Sequence, residues 1–294
     1  MKALFIGSVK FSEEMMSVLL LKKGIELCGI VTKEKSTFNA DFVNVRSITP
    51  EHVPYFYFQN NTEEMIKWIK NLNPDVIFCL GWSHLLPEEV IKLPPLGVLG
   101  YHPADLPKNR GRHPLIWSIV LGLSEIASTF FMIADGADTG DIISKAYLPL
   151  GLDDDASTIY DKLVAIGKNQ FSKILDELIE KGRFFGVPQN DEESSTWRKR
   201  GPKDGEIDWR MGKMAIYNLV RGLTRPYVGA HCYYEGLEIK VWKVRFLDFS
   251  ELNIEPGKVV KVEGKSIFVK CYDGMIEIID HEFSKIPQIG EYLL

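Results

Sequence analysis

Four short runs without polar alternation recur in the first third of the chain: 2–6 (KALFI), 26–32 (ELCGIVT), 75–81 (DVIFCLG) and 96–101 (LGVLGY). Each is bounded by Gly, Pro or Asp. Strands that are apolar throughout need cover on both faces, and the helical patterns between them supply it. Ser12 reads as the cap of a first helix that turns Met15, Met16, Leu19 and Leu20 inward. Thr62 reads as the cap of a second, with Met65, Ile66, Ile69 and Leu72 on one face. This alternation predicts an α/β fold built on a Rossmann-like parallel sheet. Ligands of such sheets bind beyond the carboxyl ends of the strands, so chemistry is expected on the loops that follow these runs.

The remainder of the chain changes character. A long helix is predicted over 156–181, with Ile159, Leu163, Ile166, Ile174 and Leu178 on one stripe and Gly182 near its end. Residues 187–205 (VPQNDEESSTWRKRGPKDG) are polar and punctuated by Gly and Pro, the composition of a linker. After a helix around 211–222, the sequence turns to alternating strands with Gly turns, which predicts a small antiparallel sheet or barrel. The expected division is a first domain over 1–185, a linker over 186–205, and a smaller, mostly β, OB-like barrel domain over 206–294.

Composition narrows the function classes. The net charge of the 294-residue chain is −5, so no domain-wide attraction for a phosphate polymer is expected. No apolar run reaches the roughly 18 residues that span a bilayer, and the amino terminus reads as a strand rather than a signal peptide. Cys28, Cys79, Cys232 and Cys271 are scattered without a CxxC pair. That pattern predicts a reducing, cytoplasmic setting and neither a disulfide framework nor a metal site. The loop Gly7-Ser8-Val9-Lys10-Phe11 lacks the GxGxxG spacing, so no dinucleotide cofactor is expected on it.

The segment from Gly100 to Gly111 (GYHPADLPKNRG) follows the fourth apolar run. A histidine at a strand end is by itself more often packed than catalytic. Here Pro103 forces His102 into an extended conformation and Pro107 stiffens the loop that leads away. A short helix then opens at Pro114, and Arg110 and Arg112 precede it. A second cluster, Asp135, Asp138 and Asp141 with Gly136 and Gly140, follows another apolar run. Such clusters are commonly solvated turns; alternatively, one carboxylate pairs with His102 and fixes its tautomer.

Taken together, "HPADLPKNRG … HPLIW … ADGADTGDI" resembles the folate-dependent formyltransferases, which move a formyl group from 10-formyltetrahydrofolate to an amine. The resemblance continues through "RKRGPKDGEIDW" and "IYNLVRGLTRPYVGAH", and so covers most of the chain. It implies a one-carbon transferase with 10-formyltetrahydrofolate as co-substrate. His102 takes the family's histidine position as oxyanion stabiliser and acid–base group, and Asp138 is its implied partner, with Asp135 and Asp141 as alternatives. The folate is implied to lie against Trp82, Ser83, Leu85, Leu86 and Pro87, against the loop Ala104, Asp105, Leu106 and Pro107, and against Asp135, Thr139 and Asp141.

One departure stands out. The family's catalytic asparagine falls at Gly100, and Ala104 and Asp105 replace its usual Ser-Leu. Losing such a donor costs about 10²–10³ in rate. A dead homologue, a weakened enzyme and a rearranged donor are the three readings; the last is preferred, with Asn109, Ser83 or a main-chain amide bared by the glycine in the donor's place.

The wording "GYHPADLPKNRGRHPLIW" is similar to that of bacterial nucleotide-amino-sugar formyltransferases, whose products enter surface polysaccharides. It implies an acceptor such as a UDP-linked 4-amino-4,6-dideoxy sugar of a pseudaminic-acid-type pathway. Ser8, Lys10, Arg110, Arg112, Arg221 and Tyr217 are the implied acceptor ligands, with Arg225, Tyr227 and Trp209 also available. Two alternatives stand beside this reading. One is a methionyl-tRNA formyltransferase, disfavoured by the net charge but offered possible phosphate contacts by Arg198, Lys199, Arg200 and Lys203 and by Lys240, Lys243, Arg245, Lys258, Lys261 and Lys265. The other is a folate-binding homologue without activity. The oligomeric state is open, a homodimer being one alternative.

Overall fold

The structure, a computed structural model, describes residues 1–36 and 40–294. In chain order the first elements are β1 (Lys2–Ile6), α1 (Lys10–Leu20), β2 (Glu26–Thr32), β3 (Tyr55–Tyr57), α2 (Thr62–Leu72), β4 (Val76–Cys79), α3 (Glu88–Ile91) and β5 (Val98–His102). There follow β6 (Arg110–Gly111), α4 (Pro114–Val120), β7 (Glu125–Met132), β8 (Ile142–Pro149), α5 (Ala156–Lys181) and β9 (Thr196–Trp197). The last are α6 (Lys213–Leu223), β10 (Ala230–Tyr234), β11 (Leu237–Leu247), β12 (Val259–Glu263), β13 (Ser266–Cys271) and β14 (Gly274–His281). The chain divides into two compact units. The first comprises 1–114, 126–148 and 161–197; the second comprises 115–125, 149–160 and 198–294.

The first unit is organised by a seven-stranded sheet in the order β3-β2-β1-β4-β5-β7-β8. β1 lies parallel to β2 and β4, and β5 is parallel to β4. β7 enters antiparallel to β5, so the sheet is parallel-dominated rather than wholly parallel. Leu4, Ile6, Ile77, Cys79 and Val98 on one face pack with Met65 and Ile69 of α2. Phe78 of β4 and Phe130 of β7 meet Phe171 of α5, with ring centroids 5.2 and 5.9 Å apart. Burial on both faces is the physical reason these strands carry no polar alternation. Ile6 is in register with Val31 on one side and Cys79 on the other, so three strands end at one level. The chain turns to opposite sides of β1 there, which is the switch point where such sheets open a crevice.

Two helix starts differ from the sequence expectation. α1 begins at Lys10, and Ser12 lies inside its first turn, where its hydroxyl accepts from Val9 N–H at 3.1 Å and donates to the Leu80 carbonyl at 2.6 Å. α2 starts at Thr62 itself, with Asn61 in the cap position. The long helix α5 runs over Ala156–Lys181 and ends before Gly182, whose φ of 70° is the left-handed conformation that closes helices.

In the second unit five antiparallel strands follow the order β10-β11-β14-β13-β12. Residues 290–294 bond to both edges of this sheet. Val259 N–H donates to Glu291 O on the β12 side, while Tyr233 and Leu294 exchange main-chain hydrogen bonds on the β10 side. This segment thereby bridges the two edge strands and pairs with part of each edge. Tyr217 of α6 sits edge-on to Phe246 of β11. Among the described residues no helix is long and apolar enough to cross a membrane.

Candidate active site

β5 delivers His102 to the carboxyl edge of the sheet, where the side chain is 6% exposed. Its strand partner Thr129 donates a hydroxyl hydrogen bond to Ala104 O at 2.7 Å, which fixes the turn just after the histidine. The imidazole Nε2 lies 2.9 Å from the Asn109 carbonyl oxygen. A carbonyl only accepts, so Nε2 carries the hydrogen and Nδ1 faces the other way. Nδ1 lies 3.8 Å from Asp138 Oδ2, an ion-pair separation rather than a direct hydrogen bond. That carboxylate is itself oriented by Gly111 N–H at 3.0 Å.

Of the three aspartates in the second cluster, Asp138 is the one that meets the imidazole among the described residues. Asp135 is exposed and its carbonyl accepts from the Thr139 hydroxyl at 2.8 Å. Asp141 is also exposed and its carbonyl accepts from Met132 N–H. The loop between them passes so near β7 that a β-carbon at Gly140 would overlap the Met132 carbonyl oxygen.

Gly100 is closed rather than open. It pairs with Cys79 on one side and Phe131 on the other, inside the sheet. A β-carbon there would lie 2.8 Å from Ile133 Cγ1 and 3.1 Å from Phe131 Cε1. An asparagine side chain has no room, and the glycine is not at an edge where it would bare an amide to a ligand. Two of the proposed substitutes remain. Asn109 adopts φ 64°, a left-handed conformation that asparagine tolerates. Its Oδ1 and main-chain N–H are both anchored by the Ser195 hydroxyl, at 3.3 and 2.9 Å. Its Nδ2 has no partner among the described residues. Ser83 Oγ is buried and likewise without a hydrogen-bond partner, whereas its carbonyl accepts from Arg112 Nη2 at 3.1 Å.

The segment after β4 forms an aromatic corner. Trp82, His84 and Phe58 have ring centroids 5.1–5.5 Å apart, and Lys33 Nζ lies 5.6 Å over the Trp82 ring. Burial, reinforced by the charges of Lys33 and Arg112, holds the His84 imidazole below its ordinary value. Leu86 packs on the core, Pro87 precedes α3, and Leu85 is 82% exposed. In the loop after His102, the Ala104 and Leu106 side chains are buried and Pro107 follows a cis peptide bond. This loop therefore offers a ligand main chain rather than those two side chains. Asp105 accepts from Lys145 Nζ at 2.7 Å and from the Tyr147 hydroxyl at 2.6 Å. Burial opposes its charge, but these two hydrogen bonds outweigh it and hold the carboxyl below its usual value.

Several residues read as acceptor ligands are engaged elsewhere. Arg110 is 8% exposed; its Nε and Nη2 donate to Gln189 Oε1 at 3.2 and 2.8 Å, and Nη2 also reaches Asp191 at 2.8 Å. Its guanidinium is a structural tie and not an open anion contact. Lys10 pairs with Asp161 at 2.8 Å, and Ser8 Oγ is buried with no hydrogen-bond partner among the described residues. In the second unit, Arg221 donates to the carbonyl of Gly151 and to Asn218 Oδ1, both at 2.8 Å, while the Tyr217 hydroxyl donates to Leu152 O at 2.9 Å. Both serve the 151–154 turn. Arg112 and Lys108 are the exposed cations of the loop.

Residues 187–197, read as part of a linker, make ordered contacts within the first unit. Val187 exchanges main-chain hydrogen bonds with Ile142, β9 pairs with β6, and Gln189 Nε2 donates to the carbonyls of Asp138 at 2.8 Å and Gly140 at 2.7 Å. Gln189, Ser195, Lys33 and Phe58 were not singled out from sequence. Their neighbours in space are distant in the chain, and no local pattern marks them.

Comparison with known proteins adds to this geometry. Residues 1–175 match the family described as formyl transferase, and residues 200–292 match its C-terminal domain. The methionyl-tRNA formyltransferase of Caldanaerobacter subterraneus subsp. tengcongensis is 32% identical over 309 residues, covering 100% of this chain and 96% of that protein. The structure of HypX from Aquifex aeolicus in complex with tetrahydrofolic acid superposes with a TM-score of 0.68 at 18% identity, covering 96% of this chain and 44% of that one. The Helicobacter canadensis N-formyltransferase in complex with folinic acid and dTDP-3-aminofucose gives a TM-score of 0.69 at 16% identity, over 96% of this chain and 100% of that one. These two structures share the fold.

Proposed function

The chain belongs to the formyltransferase family, with 10-formyltetrahydrofolate as its co-substrate, and from that premise we propose that it formylates the free amine of a nucleotide-linked amino sugar. The observation that carries this choice of acceptor is the neutral, internally paired surface of the carboxy-terminal segment. Residues 198–294 hold sixteen Lys and Arg against fourteen Asp and Glu. Five of the ten cations that would serve a tRNA backbone face carboxylates: Arg198 with Asp204, Lys240 with Glu238, Arg245 with Glu277, Lys258 with Glu255 and Lys261 with Glu263. A concave surface in the second unit is lined by four carboxylates, Asp153, Asp154, Asp155 and Asp280, against two cations, Arg221 and Lys243. Reading a phosphate polymer needs uncompensated positive charge, because phosphate contacts dominate the affinity. A sugar nucleotide needs only a few cations around one diphosphate.

10-Formyltetrahydrofolate supplies the formyl carbon and leaves as tetrahydrofolate, and the side chains of the first unit supply the acid–base work. One proton must travel from the acceptor amine to the folate nitrogen that leaves. His102 is the group placed to carry it, with Asp138 opposite Nδ1 to stabilise the charged imidazole. The 3.8 Å separation tightens to a hydrogen bond when Nδ1 gains a proton; such contacts are commonly long without ligand. The Asn109 amide takes the donor role that Gly100 lacks, toward negative charge on the formyl oxygen. The aromatic corner after β4 and the 135–141 loop hold the folate, and Arg112 is the open cation for the acceptor. The cytoplasm is the compartment this reading implies.

A second reading, methionyl-tRNA as acceptor, is favoured by the Caldanaerobacter relative, which matches along the whole chain and bears that name. The test measures tetrahydrofolate release from 10-formyltetrahydrofolate with a UDP-linked 4-amino-4,6-dideoxy sugar and with initiator methionyl-tRNA. Sugar-dependent release is expected. Turnover with tRNA alone selects the second reading, and no turnover with any acceptor marks a folate-binding homologue.

A further inference from the structure

The two loops that carry the acid–base pair touch each other lightly. His102 and Asp138 are 3.8 Å apart, and Gly111 N–H donates a hydrogen bond to Asp138 across the two loops. What spans them is the polar segment 187–197. At one end it is bonded to Ile142, just after the Asp138 loop, through Val187. At the other it pairs with β6 and binds the Asn109 main chain through Ser195.

Gln189 sits between these ends and uses both halves of its amide. Its Oε1 accepts from Arg110 Nε and Nη2, and its Nε2 donates to Asp138 O and Gly140 O. The amide orientation is set by its partners, because a guanidinium only donates and a carbonyl only accepts. Arg110 is the residue next to Asn109, whose carbonyl takes the His102 Nε2 hydrogen. One side chain therefore ties the loop that orients the imidazole to the loop that carries its carboxylate.

We propose that Gln189 is a positioning residue for formyl transfer, setting the His102–Asp138 geometry by clamping the Arg110 and Asp138 loops together. The inference rests on the assignment of His102 and Asp138 as the acid–base pair. Without the clamp, Asp138 is held to the histidine loop through its carboxylate and Gly111 N–H alone, and the imidazole loses its fixed tautomer. A displacement of about 1 Å at a reacting group costs on the order of 10²-fold in rate.

The test compares wild type with Gln189→Ala and Gln189→Glu. The glutamate keeps the acceptor for Arg110 but removes both donations to the Asp138 loop; it also carries the test if the alanine variant does not fold. Both are expected to lower kcat by about 10- to 100-fold with KM for folate and acceptor within about two-fold, the pattern of a group acting in the transition state and not in binding. The ¹⁵N spectrum of the His102 imidazole in the ligand-free protein is expected to show one tautomer in wild type and a mixture in both variants. A Gln189→Glu enzyme with wild-type kcat, or an unchanged imidazole spectrum, overturns the proposal. If wild type itself transfers no formyl group, the reading of function fails while the spectrum still decides the clamp.

Discussion

His102 gives its Nε2 hydrogen to the carbonyl oxygen of Asn109, 2.9 Å away, so the imidazole and the proposed amide donor belong to one rigid loop. Asn109 holds that carbonyl from a left-handed turn, with a φ of 64°. The same residue is anchored by Ser195 through its main chain and Oδ1, leaving Nδ2 for a ligand.

Asn109→Ala is accordingly expected to reduce kcat by about 10²–10³, the usual cost of one oxyanion donor. Steady-state kinetics with saturating folate measure it. An unchanged kcat moves the donor role to the orphaned hydroxyl of Ser83, for which Ser83→Ala is the corresponding variant.

Restoring the family asparagine at Gly100 is expected to harm the protein. The new β-carbon meets Ile133 and Phe131 at about the distance where side chains must shift, and overpacking of this kind costs typically 1–3 kcal/mol. Urea unfolding of Gly100→Asn should show that loss with no gain in rate, and adding Ile133→Ala should recover part of it. A faster, equally stable Gly100→Asn enzyme contradicts the packing described for this strand.

Asp105 predicts an acid-sensitive contribution to stability. Its folded-state carboxyl lies below the ordinary aspartate value of 3.8, because the bonds from Lys145 and Tyr147 outweigh burial. The unfolded chain therefore binds the proton more readily than the folded one. The contribution is complete above about pH 4 and is lost as pH falls through the folded value. The stability difference between wild type and Asp105→Asn should be constant from pH 7 to 5 and shrink below about pH 4. A difference that grows on acidification reverses the assigned sign.

The acceptor assignment predicts a weak salt dependence. A protein with 6–10 phosphate contacts to DNA loses about 10³–10⁵ in affinity between 50 and 200 mM salt, whereas KM for a sugar nucleotide should change by less than about tenfold over that range. A steep loss would point to a polyanionic acceptor.

The readable parts of this protein were those written in local periodicity. The stripe Ile159, Leu163, Ile166, Ile174 and Leu178 marks a helix whose observed limits, Ala156–Lys181, match the expectation. The uniformly apolar runs marked the buried strands because both faces of the sheet are covered. Contacts between distant segments were not legible. Ser12 looks like the cap residue because of its type, but it lies inside the first turn, where its hydroxyl donates to Leu80 O just after β4. Arg110 looks like an anion ligand because of its motif, but Gln189 and Asp191 claim it. Gln189 and Ser195 lie in a stretch with the composition of a linker, and nothing local distinguishes a strap that bonds to residues 109–112. The antiparallel entry of β7 was hidden for the same reason: direction depends on the connection, not on the strand's own residues.

The account stands on His102 as the group that moves the proton in formyl transfer. The most direct measurement is kcat for His102→Asn with 10-formyltetrahydrofolate and the acceptor, alongside folate binding by the same variant. A fall of about 10³ or more with folate affinity retained is the predicted result. Activity within about tenfold of wild type would contradict it.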